Sequence, residues 1–193
     1  TLSGGAFFTV GSVDAGTGDA NEEMYMQYAY TLDVNSSFTG DDLLTAGIVT
    51  GNASGPLASM DSAETGGGTL SVGSLYYAFP IGDLSITAGP LLDQDDVVAA
   101  TTSAYSDAFR LGSMPYSLAG SETGPGIGAT YATDNGVVVS ASFVADDGAD
   151  SSKGINTDTG NDVTTLTVGY NGDGFGGGLI VASNDGDVGT VGY

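Results

Sequence analysis

Carboxylates are the side chains of this sequence best able to do chemistry. Aspartates form three short runs: DQDD at 93–96, DDGAD at 146–150 and DTGND at 158–162. Carboxylate and carbonyl oxygens on flexible loops are ligands that Ca²⁺ accepts, although no run has the spacing of an EF-hand. We therefore expect divalent-cation loops that bind Ca²⁺ loosely, with no other cofactor and no metal site of defined ligands. The candidate ligands are Asp146, Asp147, Asp150, Asp158 and Asp162.

Histidine and cysteine are both absent from the sequence. The usual nucleophile–base pairs and zinc sites therefore cannot be assembled. A glycosidase with two carboxylates stays open because acids abound, but no pair of them stands out. We expect a protein that is not an enzyme and has no catalytic residue.

The charge of the chain is strongly negative, because 24 Asp and Glu oppose two basic residues, Arg110 and Lys153. The net charge of -22 argues against nucleic acid as a partner and against binding to an anionic membrane surface. Hydrophobic residues make up 40% of the chain, and the mean hydropathy is +0.10. This hydrophobic content favours a folded chain over a disordered one.

Alternation with a period of two is the dominant pattern, and it predicts an all-β fold. In residues 23–33, for example, one face carries Met, Tyr and Leu, and the other carries mostly polar residues. The glycines of GPGIGA at 124–129 read as strand glycines, because no helix signal follows them. Nine strands are predicted, at 2–11, 22–33, 42–50, 70–79, 83–90, 126–133, 136–145, 162–170 and 174–183.

The connections between these strands alternate in length. Tight turns are predicted at 80–83, 133–136 and 171–174, and long connections at 51–69, 91–125 and 146–161. Outer-membrane barrels have this asymmetry, with short turns on one side and long loops on the other. We therefore expect an antiparallel up-and-down transmembrane β-barrel, with a soluble sandwich as the alternative. Because such barrels have an even number of strands, nine indicate an incomplete portion of a larger barrel.

Several segments resemble cyanobacterial outer-membrane porins of the carbohydrate-selective, OprB-like family. They are FTGDDLLTAGIVTGNASGPLAS (38–59), LYYAFPIGDLSITAGP (75–90), the stretch 91–144 and TLTVGYNGDGFGGGLI (165–180). The resemblance implies a large, trimeric β-barrel in the outer membrane that transports inorganic ions, carbohydrate and other small hydrophilic solutes. We expect residues 1–193 to be one segment of the barrel domain, without a signal peptide or the family's N-terminal cell-wall-binding domain.

The longest connection, 91–125, is the candidate constriction. In general porins a long loop folds into the lumen, where its charges set ion preference. The alternative is a solvated surface loop. Within this connection Arg110 is a more specific candidate than the acids, because a single arginine among many acids should pair with a carboxylate. The candidate pore residues are Asp93, Asp95, Asp96, Asp107, Arg110 and Glu122.

The alternation also predicts which side chains face away from a lumen. The outward set is Met26, Tyr28, Tyr30, Leu84, Ile86, Val139, Phe143, Leu166 and Val168, and the inward set is Tyr25, Gln27, Ser85, Thr87, Ser140, Ser142, Thr165 and Thr167. Tyr76, Tyr77 and Phe79 beside Pro80 could form part of an interfacial aromatic girdle, with ordinary packing on the sheet as the alternative.

An alternative function follows from the same composition. An acidic extracellular β-protein could serve as a surface-layer or filament subunit whose exposed strand edges are completed by neighbours. Lipid and the outer membrane are the partners expected of the porin, whereas the surface-layer subunit would assemble without detergent.

Overall fold

The computed structural model describes residues 1–14, 23–60, 62–98, 123–172, 174–184 and 187–192. The nine predicted strands are present, with bounds shifted by a few residues. A tenth strand, which is not among the predicted ones, lies at 187–192. Among the described residues, two short 3-10 helices, Gly55–Ser59 and Gln94–Asp96, lie in the connections. The strands are β1 Leu2–Gly11, β2 Tyr25–Ser36, β3 Leu43–Gly51, β4 Ser71–Ile81, β5 Leu84–Asp93, β6 Thr123–Ala132, β7 Val137–Ala145, β8 Asp162–Gly172, β9 Phe175–Asn184 and β10 Asp187–Gly192.

The strands form one sheet in which spatial order follows chain order from β1 to β10. The pairs with a resolved register are all antiparallel, for example Phe8 with Tyr28 and Ser140 with Thr167. The all-β, up-and-down architecture is therefore confirmed. The sheet is not closed into a barrel, since the described residues of β1 and β10 lie at its two ends. The transmembrane assignment stays a prediction.

The chain divides into two compact units. The first contains Thr1–Asn35 and Ala46–Gly73, and the second contains Ser36–Thr45 and the described residues from Ser74 onward. In the first unit the connection after β3 packs back on β2. The Tyr25 hydroxyl accepts a hydrogen bond from the Leu57 amide at 2.8 Å, and the Gln27 side-chain amide donates to the Leu57 carbonyl at 3.0 Å.

In the second unit, strand pairs are joined by turns that require glycine. Ile81 pairs with Leu84, so the turn predicted at 80–83 contains just Gly82 and Asp83. The φ of Gly82 is 60°. A two-residue hairpin whose first loop residue has positive φ matches the strand twist, and glycine adopts that conformation without steric cost.

The segment before β3 is organised by one carboxylate, Asp42, which is 6% exposed. It accepts hydrogen bonds from the hydroxyls of Ser37 and Thr39 at 2.7 Å and from the Tyr77 hydroxyl at 2.5 Å. The backbone amides of Phe38 and Thr39 also donate to it. Asp42 therefore links the β2–β3 turn to β4 within the second unit.

The hydrogen bonds to Asp42 predict a specific acid sensitivity. The Tyr77 hydroxyl, and after it Thr39 and Ser37, hold the pKa of Asp42 well below its usual value of 3.8, against the opposing effect of burial. A carboxyl with a lowered folded-state pKa stabilises the fold above its unfolded pKa, and the stabilisation is lost as the pH falls below that value. We expect Asp42→Asn to lower the melting temperature at neutral pH and to flatten its decline below about pH 4.

Thermal unfolding followed by circular dichroism between neutral pH and pH 3 measures this effect. The matched control is Asp41→Asn, because Asp41 is the adjacent acid and is exposed. Equal pH profiles for the two variants would contradict the assignment.

Candidate functional site

The register of the sheet separates its side chains into two faces. In β8 the residues Thr165 and Thr167 are each 1% exposed, whereas Leu166 and Val168 between them are 49% and 47% exposed. We call these the polar face and the apolar face. Within the second unit, the inward and outward sets that the sequence predicts fall on these opposite faces, although Ser85 of the inward set is exposed beside the β4–β5 turn. Within the first unit, Gln27 of the inward set is buried, and Met26 and Tyr30 of the outward set are exposed.

Hydroxyl groups form two rows across the polar face of the second unit. One row runs from Thr87 through Gly128 and Ser142 to Thr165, which are register partners in succession. The other contains Thr130, Ser140 and Thr167, and the hydroxyl oxygens of Ser140 and Thr167 lie 2.5 Å apart. The rows offer donors and acceptors on the side of the sheet that is withdrawn from solvent.

Residues 94–98, which we call the strap, lie on part of the polar face. Gln94 is fully buried, and its side-chain amide donates a hydrogen bond to the Thr165 hydroxyl. The Thr130 hydroxyl donates to the Val97 carbonyl at 3.2 Å. Gln94 and Val97, near the beginning of the long β5–β6 connection, therefore lie against the polar face.

Apolar contacts hold the strap in place. Val97 packs with Leu92 and Val144, and the Tyr76 ring lies partly buried against this cluster. Val98 packs in a second cluster, with Val163, Ile180 and Ala182. Near the long-loop end of the sheet, the polar face thus carries a small dry core instead of hydroxyls.

Glycine at position 128 makes this packing possible. A Cβ added there would lie 2.2 Å from Val97 Cγ1. The expectation that GPGIGA consists of strand glycines is confirmed, since all of it lies within β6. For Gly128 the structure also explains why the residue is glycine: the strap lies too close to leave room for a Cβ.

The acids at the start of the strap have structural partners. Asp93 caps the 3-10 helix by accepting from the Asp95 amide, and it also accepts from the Thr123 hydroxyl at 3.0 Å. Asp96 accepts from the Asp93 amide and from the Tyr76 hydroxyl, each at 3.3 Å. Asp95 is exposed. The other candidate pore residues lie outside the described part of the chain, namely Asp107, Arg110 and Glu122.

The candidate cation ligands between β7 and β8 are dispersed. Lys153 Nζ lies 2.8 Å from an Asp147 oxygen, and this hydrogen bond raises the pKa of Lys153. The amide and hydroxyl of Ser152 donate to Asp150 and lower its pKa. Asp146 and Asp158 are exposed, and Asp162 is buried. Over the described ranges, no three acidic side chains come together as a metal-binding group.

Aromatic residues lie on the apolar face beside the short turns. The rings of Tyr77 and Phe79 stack with centroids 5.3 Å apart, and those of Tyr170 and Phe175 are separated by the same distance. Tyr76 does not share this position, so the packing alternative applies to it. Alternation directs it to the other face, where it contacts the Leu92 cluster.

Two residues of structural importance escaped the sequence analysis. Gln94 stands among three aspartates, and nothing in DQDD marks it as the buried member. Asp42 follows the turn-forming stretch SSFTG, whose Ser and Thr donors indicate a carboxylate-centred turn. That second signal could have identified Asp42 in advance.

Comparisons of the chain with protein families, curated proteins and solved structures return no match. The described helical turns are short, and none has the length and hydrophobicity of a membrane-spanning helix.

The fit between Gly128 and the strap is testable by a double-mutant cycle. Gly128→Ala should destabilise the fold by about 1–3 kcal/mol through overpacking against Val97. Adding Val97→Ala should remove the clash, so the pair should show a coupling energy of at least about 0.5 kcal/mol.

Urea unfolding in detergent micelles measures the free energies of this cycle. Gly177→Ala is the control, because a Cβ at Gly177 meets no atom within 4 Å. Additive effects at positions 97 and 128 would mean that the strap does not lie on β6.

Proposed function

We propose that this chain is part of an outer-membrane porin through which inorganic ions and small hydrophilic solutes diffuse passively. In this proposal the apolar face contacts lipid and the polar face borders the aqueous path. Localisation in the outer membrane and assembly as a trimer belong to the same proposal, by resemblance to the cyanobacterial porins. The proposal assigns no catalytic activity to the chain.

The reversal of the two faces is the observation that carries the proposal. A water-soluble sheet hides its apolar side, whereas here Leu84, Ile127 and Leu179 are more than 40% exposed, like their apolar neighbours on β8. Soluble monomers rarely expose contiguous apolar patches larger than a few hundred Å². In a membrane the same surface is stabilising, because lipid replaces water around it.

The aromatic pairs support the same arrangement. Tyr170 and Phe175 flank the β8–β9 turn, and Tyr77 and Phe79 lie near the β4–β5 turn. Rings of this kind concentrate at the boundary between hydrocarbon and head groups in outer-membrane barrels. The short-turn end of the sheet would then lie at one membrane interface.

The strap supports a narrowed aqueous path. It lies on the polar face and occupies space that would otherwise be open to solvent, and it is the beginning of the longest connection. In this proposal it reduces the cross-section of the pore.

Contact of the apolar face with lipid can be tested with arginine substitutions. Leu166 lies at the middle of β8, and Ile155, in the β7–β8 connection, is similarly exposed at 52%. We expect Leu166→Arg to destabilise the protein folded in lipid vesicles by about 2–4 kcal/mol, the cost of an arginine near the bilayer midplane. Ile155→Arg should cost little, because the connection lies outside the membrane.

The measurement is the free energy of unfolding in vesicles for the two variants. A chain that folds without detergent and tolerates both substitutions equally would favour the surface-layer or filament subunit instead.

The acidic composition predicts the ion preference of the pore. With 24 acids against two basic residues, the potential at the mouth should be negative and should concentrate cations. We expect cation selectivity at low salt that weakens as the Debye length falls from about 10 Å at 0.1 M to about 3 Å at 1 M.

Reversal potentials across a planar bilayer under a salt gradient, at two mean ionic strengths, test this expectation. Anion selectivity at low salt would contradict it. Arg110→Ala should increase the cation preference if the 91–125 connection enters the pore, and should leave it unchanged if that connection is a surface loop.

A further inference from the structure

Asp162 is a buried carboxylate that the preceding interactions leave unexplained. It is the first residue of β8, where the β7–β8 connection returns to the sheet, and it pairs in register with Ala145. Its exposed fraction is 3%. Both carboxylate oxygens are enclosed and have no hydrogen-bond partner among the described residues.

An ionised carboxylate in this position is costly. Removing such a group from water without a partner costs several kcal/mol, so buried carboxylates in proteins are paired, protonated or bound to a cation. Lys153, in the same connection, is engaged with Asp147 at 2.8 Å. The surrounding chain adds negative charge from Asp146, Asp150 and Asp158, which raises the local concentration of cations.

Hydrogen bonds close the β7–β8 connection where it returns to the sheet, next to Asp162 in the chain. The Asp146 amide donates to the Asn161 carbonyl at 3.0 Å, and the Asn184 side chain donates to the Asn161 side-chain oxygen. Earlier in the connection, the amides of Lys153 and Gly154 both donate to the Asp150 carbonyl. A loop closed by such bonds can present carbonyl oxygens beside a carboxylate at low entropic cost.

We propose that Asp162 binds a hard cation, with Ca²⁺ as its chemical type, where the β7–β8 connection returns to the sheet. Asp162 supplies the one anionic ligand, and backbone carbonyls and water supply the rest. Because no three acidic side chains converge in the described residues, the affinity belongs to the weak class, with a Kd on the order of 10⁻⁴–10⁻³ M. The site is independent of the porin proposal, since it needs neither lipid nor a pore.

The test compares melting temperatures of the purified protein with EDTA and with 10 mM CaCl₂ at equal ionic strength, about ten or more times the Kd expected for this class of site. Ca²⁺ should raise the melting temperature of the parent chain by a few degrees, because a ligand that binds the folded state stabilises it. Asp162→Asn should abolish the increase, and in EDTA it should melt no lower than the parent, because it removes an unpaired buried charge. Asp158→Asn, at an exposed acid of the same connection, should keep the full increase.

Two results would overturn the proposal. One is a Ca²⁺-dependent increase that persists in Asp162→Asn, and the other is no increase in the parent chain. If Asp162→Asn does not fold, Asp162→Ser replaces it in the same comparison. Calorimetric titration with Ca²⁺ then measures the affinity of the parent, Asp162→Ser and Asp158→Asn chains. The expected loss of affinity at position 162 is at least tenfold, against less than twofold at 158.

Discussion

The register between neighbouring strands is the constraint on which the rest of this structure depends. Ser140 opposes Thr167 and Ser142 opposes Thr165. A slip by one residue would turn every hydroxyl of β8 to the side of Leu166 and Val168. Because the strap bonds to Thr165 and Thr130, it can lie on the sheet in one register alone. Packing of the strap and segregation of the two faces therefore reinforce each other.

Both compact units cover polar side chains with a connection. In the first unit the 3-10 helix at Gly55–Ser59 approaches Tyr25 and Gln27, and in the second the strap covers the hydroxyl rows. The side-chain amides of Gln27 and Gln94 donate the bonds, and each residue is at most 3% exposed. Glutamine suits this role because its long, uncharged side chain reaches a hydroxyl or carbonyl. It adds no further negative charge to a chain whose net charge is already -22.

The strands and turns could be predicted from the sequence because their causes are local. Alternation in 162–170 and the glycine of the Pro-Ile-Gly-Asp corner need no distant partner. The strap could not be predicted, because its position depends on Gly128 and Thr165, which lie far from it in the chain. The pore role of the acids in DQDD stays a prediction, and the structure adds that Asp93 and Asp96 cap the 3-10 helix, a local role that short side chains adopt readily. Asp162 was grouped with other acids, and its burial is not visible in DTGND.

The distance along the chain between Gln94 and Thr165, 71 residues, has a consequence for the order of folding. Hairpins such as β4–β5 and β8–β9 close short loops and form within about 1–10 μs in isolation, whereas a contact over a long loop forms only after the intervening strands are in place. We therefore infer that the strap joins the sheet late. Contacts made after the transition state leave the folding rate almost unchanged and slow unfolding instead. Residues 94–98 thus act mainly on the lifetime of the folded sheet, while the speed of its assembly is set by the hairpins.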